Sequence, residues 1–158
     1  MRSRCLALAA FAAASPLCAQ AQMVKAQDPD SVLKATRAAG YTVVLEKDST
    51  GDPMIRRTQG GHPFRILFYG CKENANCETI QIAAGYDKKR DTPLASINEW
   101  NRTKRFGRAY LDADGDPMLL MDLDLDDGGL SEALFTDNLQ FWAAVMGGFE
   151  RHIEWDKE

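Results

Sequence analysis

The most regular hydrophobic pattern in the chain lies on both sides of residues 113–116. Large apolar residues recur at even spacing before and after this segment, and aspartates fill the positions between the later ones: Phe106, Tyr110, Leu119, Met121, Leu123 and Leu125, with Asp122, Asp124 and Asp126. Side chains alternate between the two faces of a strand, so this period of two predicts an apolar core face and a solvated acidic face. The Asp114-Gly115 pair predicts a hairpin turn, because the turn needs a positive φ that glycine adopts without strain.

Four further segments, rich in β-branched and aromatic residues, predict strands: residues 41–47, 54–59, 63–69 and 78–84. The third of these is continuously apolar from Ile66 to Tyr69, which favours a central strand. In the fourth, Ile80 and Ile82 alternate with polar residues. Turn-forming Gly, Pro and Asp residues separate the segments, so we expect the strands to be antiparallel neighbours.

Three segments predict helices. The first begins with Asp28 as N-cap and Pro29 at the first helical position, and the second follows the similar pair Thr92-Pro93. The third follows Ser131 as N-cap and carries a broad apolar stripe: Leu134, Phe135, Leu139, Trp142, Val145, Met146, Phe149 and Ile153. This stripe predicts a long closing helix that covers a core.

The order helix, strands, helix, two strands, helix predicts the α+β class, with an antiparallel sheet packed with three helices. At 158 residues, of which 45% are hydrophobic and 27% charged, the chain fits one globular domain with a core. We expect that domain at residues 27–153, followed by a short C-terminal tail at residues 154–158.

The first 21 residues have the features of a secretory signal peptide. Arg2 and Arg4 precede an apolar run of about ten residues, and small residues at Ala19 and Ala21 offer two cleavage sites. A membrane-spanning helix needs about 20 apolar residues, so this run is too short to be an anchor. We therefore expect an exported, soluble mature chain in the periplasm or outside the cell, with no membrane contact after cleavage.

Charge limits the classes of partner. Loss of the signal peptide removes two arginines and no acidic residue, which changes the formal net charge from −4 to −6. A chain of this charge is a poor ligand for nucleic acid or for anionic lipid. The expected partner is a protein, or a second copy of the chain in a homodimer.

Two of the four cysteines, Cys71 and Cys77, remain after cleavage. In an exported protein this pair predicts a disulfide, which would join the end of one strand to the start of the next. A redox pair would typically have two residues between its cysteines, and no histidine lies nearby to complete a zinc site. No cofactor is expected.

The acidic residues offer the main candidates for chemistry. Asp112, Asp114 and Asp116 resemble the start of a calcium loop, but Pro117 stands where the loop glycine belongs and Leu123 where its bidentate glutamate belongs. The later aspartates alternate with leucines, as on the outer face of a strand. No residue is assigned to catalysis or to metal binding, and a hydrolase that uses this Asp-rich hairpin, or a weak divalent-cation binder, remains the alternative.

The candidate interaction surface begins at the pair Trp100-Asn101, which the cation Arg105 follows closely. An aromatic ringed by cations suggests a partner-binding edge, although Trp100 could instead cover the core while Asn101 supports the helix end. Trp142 and Phe149 of the last helix join the predicted surface, because the helix carries more large aromatics than a small sheet obviously needs. Gly147-Gly148 beside them suggests a kink or a close approach by another element.

These segments together resemble the YbjN-domain family of small bacterial proteins. The resemblance rests on FYGC with its second cysteine, the run WNRTKRFGRAYLDADGDPMLLMDLDL, and the terminal aromatic helix. It implies the type III secretion chaperone fold, in which helices pack on an antiparallel sheet and which commonly dimerises. It also implies a sensory or regulatory role and no catalytic residues. The signal peptide and the cysteine pair depart from the cytoplasmic members.

The sequence thus predicts an exported, non-enzymatic binding, adaptor or chaperone-like regulatory domain. Its predicted interaction surface comprises Trp100, Asn101, Arg105, Trp142 and Phe149, and its disulfide joins Cys71 to Cys77.

Overall fold

The computed structural model describes residues 22–87 and 91–155. The elements follow one another as β1 (Met23–Val24), α1 (Pro29–Ala38), β2 (Thr42–Lys47), β3 (Pro53–Gln59), β4 (Arg65–Tyr69), β5 (Thr79–Gly85), α2 (Leu94–Thr103), β6 (Arg108–Leu111), β7 (Pro117–Asp124), β8 (Leu130–Ser131) and α3 (Glu132–His152). The predicted signal peptide lies outside the described residues.

Six strands form one antiparallel sheet in the order β2-β3-β4-β5-β7-β6. This architecture, with three helices and an antiparallel sheet, confirms the predicted α+β class. β4 is an inner strand, as its continuous apolar run indicated. The sequence did not predict β1 and β8, which pair with each other in a separate sheet, because two residues each are too few for a periodic signal.

The core lies between one face of the sheet and the three helices. Inward residues of the strands, among them Ile55, Ile66, Ile82 and Leu119, are fully buried. The long helix α3 supplies Phe135, Leu139, Trp142 and Phe149 to the same core. In β7, Leu119 and Met121 face inward while Asp122 and Asp124 are exposed, as the alternation predicted.

The predicted core positions Phe106 and Tyr110 are wrong. Phe106 is 46% exposed and Tyr110 is 42% exposed. Ala109 is the buried residue of β6, so Tyr110, its neighbour in the strand, points to the opposite face of the sheet. Phe106 precedes the strand and lies at the surface.

The helices begin close to the predicted positions, but only one of the three predicted N-cap side chains makes a capping hydrogen bond. Ser131 accepts a hydrogen bond from the Leu134 amide, as predicted. The Asp28 side chain makes no capping bond, and Ser31 Oγ instead donates to the Asp28 carbonyl at 2.6 Å. The N-cap of α2 is Pro93 rather than Thr92, whose side chain is buried.

Two hairpin turns share the pattern Asp-x-x-Gly-Asp-Pro, at residues 48–53 and 112–117. In each, the first aspartate accepts two backbone amides through Oδ1: Asp48 at 2.8 and 3.1 Å, and Asp112 at 3.0 and 2.9 Å. Gly51 and Gly115 both adopt a positive φ. The two turns are therefore the same local structure, set by the same short motif.

Cys71 and Cys77 form a disulfide between the end of β4 and the start of β5. The two cysteines are six positions apart, and their bond closes the loop between the two central strands, where the sequence predicted it. Within residues 22–87 and 91–155, no helix combines the length and the apolar character needed to span a bilayer.

Candidate functional site

Trp100 and Asn101 dock helix α2 on the edge strand β6. The Trp100 indole N–H donates to the Gly107 carbonyl at 2.7 Å. Asn101 Nδ2 donates to the Ala109 carbonyl and Asn101 Oδ1 accepts the Ala109 amide, both at 2.9 Å. The carboxamide thus pairs with Ala109 as a neighbouring strand would. Trp100 is buried, whereas Asn101 is exposed and holds the helix to the strand at the surface.

Trp142 and Phe149 are fully buried, so their assignment to an interaction surface is wrong. The sheet and the other helices supply enough apolar area to cover them. The Trp100 ring packs on Phe149 with ring centroids 5.0 Å apart. A Cβ on Gly148 would lie 3.5 Å from the same indole, so the close approach inferred from the glycine pair is made by α2 of the same chain.

An exposed aromatic pair lies next to this buried cluster. The rings of Phe106 and Phe141 have centroids 5.2 Å apart, and the side chains are 46% and 45% exposed. The Arg105 guanidinium lies 5.5 Å from the Phe106 ring centroid, within the range of a cation–π contact. Of the predicted surface residues, the exposed Arg105 therefore lies beside this aromatic pair. We call Lys104, Arg105, Phe106, Phe141 and Val145 the aromatic corner.

A cavity of about 250 Å³ opens at the aromatic corner, between helix α3 and the segment that joins α2 to β6. Gly107 shapes it: φ is +75° there, and a Cβ would collide with Val145. The Lys104 ammonium lies 5.7 Å from the Trp100 ring centroid at the rim. The corner therefore offers an apolar depression bordered by two cations.

The chemistry of the aromatic corner suits a protein ligand. Covering the exposed phenylalanines with an apolar side chain is favourable, by about 25 cal/mol for each Å² of apolar surface removed from water. Lys104 and Arg105 at the border favour a carboxylate beside that side chain. The sequence signal for Phe141 is a second apolar stripe at helical spacing on α3, formed by Leu134, Phe141 and Val145.

The Asp-rich hairpin uses its carboxylates in local structure. Asp112 Oδ1 is engaged by the amides of Asp114 and Asp116, as Asp48 is in the other turn, so turn chemistry explains the residue. The described part of the chain contains no group of three or more His, Cys, Asp or Glu side chains arranged to hold a metal ion.

Asp122 belongs to a polar network on the sheet face opposite helices α1, α2 and α3. Gln81 Nε2 donates to Asp122 Oδ1 at 2.6 Å, and Arg108 Nε lies 3.4 Å from Asp122 Oδ2. These side chains, with Tyr69 and Tyr110, line a shallow depression of about 530 Å³. The Asp122 carboxylate is paired with Arg108 and hydrogen-bonded to Gln81 in an open depression, which does not favour a hydrolase.

Ser96 and His152 form the one arrangement among the described residues that resembles a nucleophile and its base. His152 Nε2 lies 3.1 Å from Ser96 Oγ, beside a cavity of about 310 Å³. The same nitrogen lies 2.8 Å from the Ser96 carbonyl oxygen. A carbonyl only accepts hydrogen bonds, so Nε2 carries the proton and has no lone pair to receive one from the serine. This contact joins α2 to α3.

His62 and Tyr86 also have structural contacts. The His62 ring stacks on Tyr86 with centroids 4.2 Å apart, and His62 Nε2 lies 2.8 Å from the Gly85 carbonyl oxygen. Burial, followed by the nearby Glu150 carboxylate, raises the pKa of Tyr86 far above its ordinary value.

Comparison with known proteins identifies a family. The model of the YbjN family, described as "Putative bacterial sensory transduction regulator", matches residues 28–155. No curated protein matches the chain. Because the match covers most of the sequence, the chain belongs to the YbjN family.

Proposed function

We propose that this member of the YbjN family is an exported, non-enzymatic adaptor that regulates by binding another protein at the aromatic corner. The family description supports a regulatory role, which is exercised through protein contacts in many regulators. The contacts of Ser96, His152 and the aspartates, described above, support a binding role over a hydrolytic one. The partner is expected to present an apolar side chain beside a carboxylate.

The observation that carries this proposal is the exposed pair Phe106 and Phe141. Two large aromatic rings in contact, each nearly half exposed, are costly to leave in water unless a partner covers them. Aromatic residues and arginine are also the side chains most enriched where protein interfaces derive their affinity. Arg105 lies over one of the rings.

Export is supported by two independent features. The first 21 residues have the pattern of a signal peptide, and Cys71 is bonded to Cys77. Disulfides persist in oxidising compartments and are rare in the cytosol. Both features support a mature chain in the periplasm or outside the cell.

Site-specific photocrosslinking tests the binding site. A photoreactive phenylalanine analogue at position 141 is expected to capture a partner in the producing bacterium. The same analogue at Tyr110, which is 42% exposed on the opposite sheet face, is the matched control and should capture none. Loss of the crosslinked species in Arg105→Glu would support the predicted carboxylate.

Equal capture at positions 141 and 110, or none at 141, would refute the aromatic corner as the docking site. A crosslink to a second copy of the chain would instead establish the homodimer. The type III secretion chaperone fold implied by the family resemblance stays a prediction, which an experimental structure compared with such chaperones would test.

A further inference from the structure

The orientation of the peptide groups in β2 follows from one hydrogen bond in β3. The Arg57 amide donates to the Phe64 carbonyl at 3.0 Å, on the side of β4. Peptide groups alternate between the two sides of an antiparallel strand, so Arg56 and Met54 face β2. These residues pair with Val44 and Glu46. The peptide groups of Val43 and Leu45 therefore point away from the sheet.

Only one of these outward groups has a partner among the described residues. The Val43 carbonyl accepts from Arg37, with Nη2 at 3.0 Å and Nε at 3.3 Å. The N–H and C=O of Leu45 have no hydrogen-bond partner within residues 22–87 and 91–155, and the alternation places those of Lys47 on the same side. The β2 edge thus presents an unpaired stretch at residues 45–47.

A small apolar cavity accompanies this free stretch. It has a volume of about 270 Å³ and is lined by Pro29, Leu45, Glu46, Lys47 and Pro53. Leu45 is 37% exposed beside it. Free backbone groups with an adjacent side-chain pocket are the two requirements for adding a peptide strand to a sheet edge, since the first provides affinity and the second provides specificity.

We propose that β2 accepts an antiparallel strand from another protein, with an apolar side chain opposite Leu45 and an acidic side chain opposite Lys47. The residue opposite Leu45 would exchange both backbone hydrogen bonds with it. Its side chain would lie over the cavity formed by Pro29 and Pro53.

Charge complementarity defines the rest of the occupant. Lys47 is exposed at one end of the free stretch, and the Arg37 guanidinium lies at the other end. Side chains two residues apart share one face of a strand. The expected segment therefore reads acidic, any, apolar, any, acidic, and its two carboxylates meet Arg37 and Lys47.

This site goes beyond the proposed function because it lies at the other end of the sheet from the aromatic corner. β2 and β6 are the first and last strands of six, and five spacings of about 4.8 Å put them about 24 Å apart. Both surfaces can be occupied at once. An adaptor needs such a pair of independent sites.

Fluorescence anisotropy with labelled synthetic peptides tests the strand-accepting edge. The probe has the central sequence Glu-Thr-Leu-Thr-Glu, and its matched control is the same peptide with N-methylated leucine. Methylation removes the central hydrogen bond and keeps every side chain, so affinity should fall at least about tenfold. A peptide with lysines in place of both glutamates should bind equally weakly.

Variants of the full mature chain locate the site. Leu45→Pro removes an outward N–H that belongs to no ladder, which an edge strand tolerates, and should weaken probe binding about tenfold. Lys47→Glu should shift the preference toward the lysine peptide. Phe106→Ala at the aromatic corner should leave probe affinity unchanged. The peptide measurements thus test the β2 edge alone, and the crosslinking experiment tests the aromatic corner alone. A thermal melt of each variant checks folding, and the methylated peptide gives the same answer without changing the protein.

Three results would overturn the proposal. The first is no binding of the probe by the folded protein, and the second is equal binding of its methylated form. The third is a concentration-dependent dimer that Leu45→Pro abolishes, since a second copy would then occupy the edge.

Discussion

The two edges of the sheet are protected by different side chains. At β6, the Asn101 carboxamide has a donor and an acceptor, and both bind the outward peptide groups of Ala109. At β2, the Arg37 guanidinium only donates, so it satisfies the Val43 carbonyl and no amide. One amide side chain can therefore close an edge as a strand would, whereas a cation leaves half of the edge available.

The difference extends to packing. Asn101 is exposed, but it follows Trp100, whose ring is buried against Phe149 and Gly148, so the helix that carries the amide is anchored in the core. Arg37 lies near the end of α1 and is exposed. A rigidly held cover excludes other strands, because displacing it would disrupt the core. An exposed arginine can move aside at little cost.

The largest expected effect is the loss of the β6 cover. Asn101→Leu should lower the free energy of unfolding by about 2–3 kcal/mol, because two peptide groups of a half-covered strand lose their partners. Urea denaturation measures it. Asn138→Ala is the matched control, since Asn138 bonds its own helix at the surface, and it should cost less than about 0.5 kcal/mol.

Asn101→Leu should also change the association state of the protein. Once Ala109 is uncovered, β6 becomes a free edge, and Asn101→Leu should self-associate with rising concentration. Sedimentation analysis would detect this. A variant that is as stable as the parent and strictly monomeric would mean that Asn101 does not protect the edge.

Reduction of the disulfide should affect the centre of the sheet and neither edge. Cleaving the bond between Cys71 and Cys77 should cost about 2 kcal/mol, because the loop that it closes is short. Calorimetric melting with and without a phosphine reductant gives the value. Unlike Asn101→Leu, the reduced protein should remain unassociated, and aggregation on reduction would contradict this separation of centre and edges.

The glycines beside the β6 cover should respond unequally. A Cβ on Gly147 meets nothing closer than Arg151 at 3.6 Å, so Gly147→Ala should stabilise the protein by up to about 1 kcal/mol. Gly148→Leu should destabilise it, because the larger side chain must displace the Trp100 ring. Thermal melts of both variants test this, and stabilisation by both would show that the contact with Trp100 is loose.

The smallest effect is expected at the β2 edge. Arg37→Ala should change the free energy of unfolding by no more than about 1 kcal/mol, because the carbonyl that it releases can be hydrated at an exposed edge. Urea denaturation of Arg37→Ala and Asn101→Leu under the same conditions compares the two losses of unfolding free energy directly. A loss as large as that of Asn101→Leu would mean that the two edges are equally closed.

The features that could be predicted from the sequence follow from local patterns of a few residues. Alternation placed Leu119 and Met121 in the core, and Asp-Gly turn chemistry located the turn of the β6–β7 hairpin. The class, the order of the main elements and the disulfide pair followed from equally local features. These signals act over a few residues, so the sequence alone could show them.

The sites depended on contacts between distant segments. Periodicity could not show that Trp142 and Phe149 are covered on all sides, nor that Tyr110 faces away from the helices, because both depend on how α2, α3 and β6 meet. Pairing of Asn101 with Ala109, and of Phe106 with Phe141, has no signature in either segment taken by itself.

The sequence by itself therefore determined the longer helices and strands, their hairpin turns and the α+β class, since backbone preference and hydrophobic period are properties of short stretches. Only the tertiary structure decided which strands are edges. That property belongs to the order β2-β3-β4-β5-β7-β6, in which β5 pairs with β7 across the intervening α2 and β6. A strand is exposed or covered according to neighbours that lie far from it along the chain.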